Sequence, residues 1–127
     1  ISQMTKSALT RNQITVQGPE NRLDFSNVSD VADAFARAAT IDTAANQIFN
    51  CTRGYGRTIL EAAELVRDTL GKGEIQTKPH DPFYPNRDTL NSDKIKKLLG
   101  WNPTVDIEQG IPEYVEWFLQ QKCYNEK

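Results

Sequence analysis

The chain has 127 residues, of which 38% are hydrophobic and 25% charged, with a formal net charge of -2. That size and balance suit one globular domain and exclude a disordered or fibrous chain. A slightly acidic chain lacks the basic face of a nucleic-acid binder, although a local pocket for a small anion is compatible with it.

Two cysteines, Cys51 and Cys123, and one histidine, His80, are too few for a four-ligand zinc site, so no metal is expected. Two cysteines do not make a disulfide framework, and free thiols in a cytoplasmic protein are the expectation. No apolar run approaches the roughly 20 residues needed to cross a bilayer, so no membrane partner is expected. No secretory signal is visible.

The first segment has Ile1, Met4, Ala8 and Leu9 at helical spacing, so the chain is expected to begin inside a structural element. Ile14-Thr15-Val16-Gln17 alternates, and Gly18-Pro19 ends it, as for a short strand. Leu23 to Val28 reads as a second extended stretch. Ser29 or Asp30 can cap a helix carrying Val31, Ala34, Phe35 and Ala38 on one side, with Ala32 at the place of a capping-box glutamate.

Gln47 to Cys51 is strand-like, and a Gly54-Tyr55-Gly56 turn follows. Thr58 and Glu61 form a capping box for a helix that Gly71 ends. Glu74 to Thr77 predicts a further strand, and residues 79–90, with three prolines, a structured loop. Asn91 or Ser92 begins a short helix ended by Gly100, with Trp101 packing back. The last helix starts at or just after Asp106, with Ile111, Tyr114, Val115 and Phe118 on one side and Pro112 tolerable only near its first turn. The polar tail from Gln120 is expected to fray. The alternation of strands and helices predicts an α/β fold.

Most chemistry that can be sought by motif is absent. Gly54-Tyr55-Gly56 lies between a strand and a helix but lacks the fuller dinucleotide fingerprint, so structural glycines are the expectation. Gly71-Lys72-Gly73 follows a helix, whereas a phosphate loop precedes one. Cys51 reads as a buried, inert thiol, and His80 as a surface histidine rather than a general base. Asp30 and Asp33 suit a helix N-terminus better than a glycosidase pair, with Asp24 nearby.

Four blocks resemble a known family. Leu23-Asp24-Phe25-Ser26-Asn27-Val28-Ser29-Asp30-Val31-Ala32-Asp33-Ala34 is similar to the Arg-Asp-aromatic-x-His/Tyr-Val-x-Asp-Val-Ala-x-Ala block of extended short-chain dehydrogenases/reductases, the NAD-dependent sugar-nucleotide epimerases and dehydratases. Ile48 to Thr52 with Thr58 to Glu61, then Arg87 to Lys94, then Leu99-Gly100-Trp101-Asn102-Pro103 with Ile107 to Ile111, Tyr114 and Trp117, resemble later blocks in the family's order. The resemblance implies that residues 1–127 are the small substrate-binding C-terminal domain of an extended Rossmann-type dehydrogenase/reductase. The Rossmann cofactor domain is largely outside this chain. Neither the glycine-rich loop nor Tyr-x-x-x-Lys is present: Tyr114 is followed at that spacing by Phe118, and Tyr84 by Asp88. No catalytic or cofactor-binding residue is therefore assigned.

The resemblance further implies NAD or NADP in the intact enzyme, a nucleotide-sugar substrate, and a homodimer. The cofactor would take hydride from the sugar and return it. The isolated fragment is expected to self-associate through exposed apolar surface. The implied substrate contacts are Val16 and Gln17 beside the base, and Arg87 on the diphosphate or ribose. Leu23 stands where many members have a phosphate-binding arginine, which makes Arg22 the substitute. Asn27 and Asn91 also depart from the pattern, and they keep a second reading open, a non-catalytic binding or scaffolding module with a relic fold.

Overall fold

The structure, a computed structural model, describes residues 1–83 and 89–121. In chain order its elements are α1 (Ser2–Arg11), β1 (Gln13–Gln17), β2 (Arg22–Leu23), α2 (Val28–Thr40), a 3-10 turn (Asp42–Ala44), β3 (Arg57–Thr58), α3 (Ile59–Leu70), β4 (Glu74–Lys78), α4 (Asp93–Leu99) and α5 (Ile107–Gln120). The expected α/β alternation is present. Among the described residues two compact units form. One comprises residues 1–21, 58–83 and 107–121, and the other residues 22–57 and 89–106.

The first unit is organised around a parallel pair. β1 lies beside β4 with Ile14 opposite Ile75 and Gln17 opposite Lys78. Ile14 and Val16 are each 1% exposed, while Thr15 and Gln17 face outward, as the period-two pattern requires. Ala8 of α1, Ala62, Ala63 and Val66 of α3, and Ile107, Ile111 and Val115 of α5 supply the remaining buried apolar side chains. The small alanines allow close approach of helix backbones. The α3 N-terminus is closed as expected: the Thr58 hydroxyl accepts from the Glu61 N–H at 3.1 Å, and the Glu61 carboxylate accepts from the Thr58 N–H at 2.6 Å. Such a box contributes about 1 kcal/mol.

Pro112 is the sixth residue of α5 rather than a first-turn residue, contrary to expectation. Proline removes one helical donor there. Ile111 and Val115 on either side of it are buried, and that packing holds the helix through the missing bond.

The second unit packs Ala34, Ala44, Ile95, Leu99 and Trp101 into a core, with Ile41, Phe49 and Cys51 against it. Two expectations are corrected here. Asn27, not Ser29 or Asp30, caps α2, and its side chain accepts from the Ser29 N–H at 2.8 Å. Asp30 is then free for another task. Its carboxylate accepts from the N–H groups of Thr104 (2.9 Å) and Val105 (3.0 Å) and from the Thr104 hydroxyl (2.9 Å). Its carbonyl receives the buried indole N–H of Trp101 at 2.8 Å.

The other correction concerns Gln47 to Cys51, which is not a strand. No described strand lies beside it to complete a ladder. Its polar groups are met singly: Gln47 N–H donates to Ala44, Lys94 Nζ donates to the Ile48 carbonyl, and Asn50 Nδ2 donates to the Asn91 carbonyl. The extended stretch expected from Leu23 to Val28 is likewise a ladder only at Arg22–Leu23, which pairs with β3. The short helix α4 begins at Asp93, whose N–H is accepted by Asn91 Oδ1 at 2.8 Å, while Ser92 makes no capping bond.

α2 is apolar on two sides. Ala34 is buried, yet Val28 is 81% and Phe35 71% exposed, and Ile48 elsewhere in the same unit is 87% exposed. No described helix is long and apolar enough to cross a membrane.

Burial pushes the Asp30 carboxyl up, but the two loop N–H groups, the Thr104 hydroxyl and the field of Arg53 together bring it below its ordinary value. A depressed folded value stabilises above the unfolded value of about 3.9 and stops doing so as pH falls through the folded value. Asp30→Asn is therefore expected to lose about 2 kcal/mol at neutral pH, the scale of hydrogen bonds to a charged group. The same variant should show a flatter acid limb below about pH 4. Urea unfolding at several pH values measures both.

Candidate ligand-binding site

At the carboxyl end of the first unit's parallel pair the chain makes a tight corner. The Gly18 N–H donates to the Lys78 carbonyl at 2.9 Å, extending the ladder by one bond. Gly18 then turns with φ +61°, and a Cβ there would lie 2.5 Å from Asn21 Nδ2. Asn21 is held at both backbone groups: its N–H donates to Gly18 and its carbonyl accepts from Ile59, each at 2.9 Å. Its side-chain amide donates to His80 Nδ1 at 2.8 Å. Open parallel sheets commonly receive ligands at such carboxyl ends.

The expected contacts Val16 and Gln17 sit on β1 in this unit. Val16 is 1% exposed, so only its backbone could meet a ligand. Gln17 is exposed and lies beside Lys78 on the face opposite Val16. Among the described residues β1 has one ladder neighbour, β4, which leaves its other edge without a strand. The pairing of Asn21 with His80 has no local signal in sequence, since 59 positions separate them.

In the second unit Arg22 is exposed at the start of β2, and its Nε donates to the Gly56 carbonyl at 3.1 Å. That bond fixes the base of the guanidinium and directs the side chain over the glycine turn. Gly56 is needed for it, because a Cβ there would lie 3.0 Å from Arg22 Cβ. Arg87 lies outside the described residues, as do Cys123 and part of the expected 79–90 loop.

The Gly54-Tyr55-Gly56 turn is a structural element, held by a carboxylate. Asp24 accepts from the Thr52 hydroxyl (2.5 Å) and from the N–H groups of Arg53 and Gly54 (2.9 Å each). Two backbone donors that could help cradle a phosphate, those of Arg53 and Gly54, are thereby already engaged. The N-terminus of α3, the other natural place for a phosphate, carries the Glu61 carboxylate.

Arg53 and Arg57 share the carboxylate of Asp106, at 2.9 and 3.3 Å. The Tyr55 hydroxyl donates to the same group, and its ring lies 5.1 Å beneath the Arg53 guanidinium. Burial lowers the Arg53 pKa, but its interactions with Tyr55 and Asp106 outweigh that and hold it above the ordinary arginine value. Among the described residues, no three His, Cys, Asp or Glu side chains gather as metal ligands would. Cys51 is a half-buried free thiol, and burial followed by the nearby Asp30 charge raises its pKa. It is poorly suited to nucleophilic work.

No family model matches the chain. It is 29% identical to UDP-glucuronic acid decarboxylase 2 of Arabidopsis thaliana across 100% of its own length and 28% of that protein's. The UDP-glucose 4-epimerase of Thermotoga maritima, solved with UDP-glucose, superposes with a TM-score of 0.81 at 29% identity, over 94% of this chain and 38% of that one. The dTDP-glucose 4,6-dehydratase of Bacillus anthracis, solved with NAD, gives a TM-score of 0.79 at 23% identity, over 96% and 39%. The fold is thus that of part of a Rossmann-type epimerase or dehydratase. The four sequence blocks stand in the order they have in extended short-chain dehydrogenases/reductases, and these likenesses support that family. It spans about a third of the length of the curated relatives it matches.

Asp24 gives a test of how the glycine turn is held. Asp24→Ala should cost about 2–3 kcal/mol in urea unfolding, because three donors lose one charged acceptor. Asp24→Asn should cost less, since an amide oxygen still accepts.

Proposed function

We propose that residues 1–127 are the C-terminal, substrate-binding part of an NAD(P)-dependent epimerase or dehydratase that acts on a nucleotide-activated sugar. The observation that carries this reading is the likeness, over nearly the whole chain, to an epimerase solved with UDP-glucose. The chain lacks both a glycine-rich cofactor loop and Tyr-x-x-x-Lys, which separates substrate binding from catalysis. The β1 backbone at Val16 and Gln17 would meet the nucleoside. Arg22 and Arg87 would meet the diphosphate, because a guanidinium offers paired donors to an anionic group. Intact, the enzyme would be a homodimer.

NAD(P) does not fit the residues described. The Arg53 and Gly54 N–H groups of the turn are bound by Asp24, and the α3 N-terminus is occupied by Glu61. The cofactor would therefore be held elsewhere in the intact enzyme, and no residue here is given a part in hydride transfer.

The 127-residue chain should bind UDP or dTDP in calorimetric titration and show no stoichiometric binding of NAD. Arg22→Ala and Arg87→Ala should each weaken the nucleotide about tenfold or more, the equivalent of a charged hydrogen bond. Tight NAD binding, or no binding of any nucleoside diphosphate, would overturn the division of roles.

A further inference from the structure

We propose that His80, oriented by Asn21, is a specificity-determining donor that recognises an uncharged oxygen of the nucleotide, a base carbonyl or a ribose hydroxyl. This rests on the reading that the chain binds a nucleotide. An amide nitrogen carries only hydrogens, so the bond from Asn21 Nδ2 requires a lone pair on His80 Nδ1. In that arrangement Nδ1 is the acceptor, and Nε2–H is the donor the ring can offer a ligand.

The orientation is built in rather than incidental. Gly18 gives the Asn21 amide its room, and the two backbone bonds of Asn21 fix where that amide starts. His80 follows β4 by two residues, and Gln17 ends β1, so both stand at the carboxyl end of the same parallel pair. Gln17 adds an exposed amide and Lys78 an exposed ammonium at that end. A donor of fixed direction discriminates among acceptors more sharply than a mobile cation, because a ligand without the acceptor leaves it unpaired.

His80 is the only histidine, so its imidazole nitrogens can be read without assignment ambiguity in long-range proton–nitrogen spectra of the whole chain. At pH 8 the wild type should show the Nε2–H tautomer, and Asn21→Asp should move the population toward Nδ1–H, since a carboxylate accepts. Addition of UDP, dTDP or GDP should shift the Nε2 resonance for the nucleotide that binds best. His80→Ala, Asn21→Ala and Gly18→Ala should each weaken that nucleotide about 3- to 10-fold. His80→Gln, which can still present an N–H, should recover part of the loss. His80 is exposed, so its variants should keep the wild-type melting temperature within a few degrees.

If the wild type binds none of the three nucleotides, the nucleotide reading fails and the assignment of His80 goes with it. If the wild type binds one, but His80→Ala binds it equally and the imidazole resonances stay still, only the His80 assignment is overturned. A dominant Nδ1–H tautomer in the wild type would also overturn it.

Discussion

A parallel strand pair cannot be closed by a hairpin, and much of this chain follows from that constraint. β1 ends at Gln17 and β4 begins at Glu74, and the chain must cross over between them. The crossover contains α3, which returns the chain to the same unit, and also residues 22–57, which form most of the second unit. Parallel pairing has another consequence. Both strands run out at the same end, so residues just beyond β1 and just beyond β4 converge although they are far apart in sequence. That is how Asn21 meets His80. An antiparallel pair would have sent the two segments to opposite ends.

Carboxylates do the organising work of the second unit. Asp24 and Asp30 each gather two backbone N–H groups and a hydroxyl from loops that no ladder satisfies. A buried loop donor without a partner costs about as much as a lost hydrogen bond, or more. One carboxylate meets several such donors at once because it has lone pairs in several directions. Asp106 plays the complementary part with the side chains of Arg53, Arg57 and Tyr55. Several residues that carry the family resemblance therefore act on architecture: Asp24, Asp30 and Trp101 all lie in these contacts. A block recognised in sequence need not be a block that touches a ligand.

The sequence was most legible where local chemistry decides the outcome. The Thr58–Glu61 box, the helix ends at Gly71 and Gly100, and the alternation of Ile14 and Val16 with outward Thr15 and Gln17 all rest on neighbours within a few residues. Gln47 to Cys51 has the composition of a strand, but strand formation depends on a second strand at the right distance, which propensity does not report. The α2 cap was misplaced by two or three residues because Asn27, Ser29 and Asp30 are all good caps. What decided between them was the long-range demand of the loop at Thr104 and Val105 on Asp30. The candidate site was legible only in part. Gln17 followed from its place on β1, whereas the partner of His80 could come only from the fold.

The chemistry left available in the first unit favours recognition over reaction. The described histidine has one nitrogen engaged by an amide rather than by the carboxylate that would orient a general base. In the proposed site Val16 would contribute backbone alone, Gln17 an uncharged amide, and His80 an N–H. Groups of this kind distinguish one acceptor pattern from another while supplying little attraction of their own. Charge for the proposed diphosphate would then come from arginine and lysine side chains, where it adds affinity with little regard to the base. In the proposed site, separating direction from charge in this way would let the base be read by a few fixed dipoles, with Asn21 and Gly18 setting the angle of the histidine.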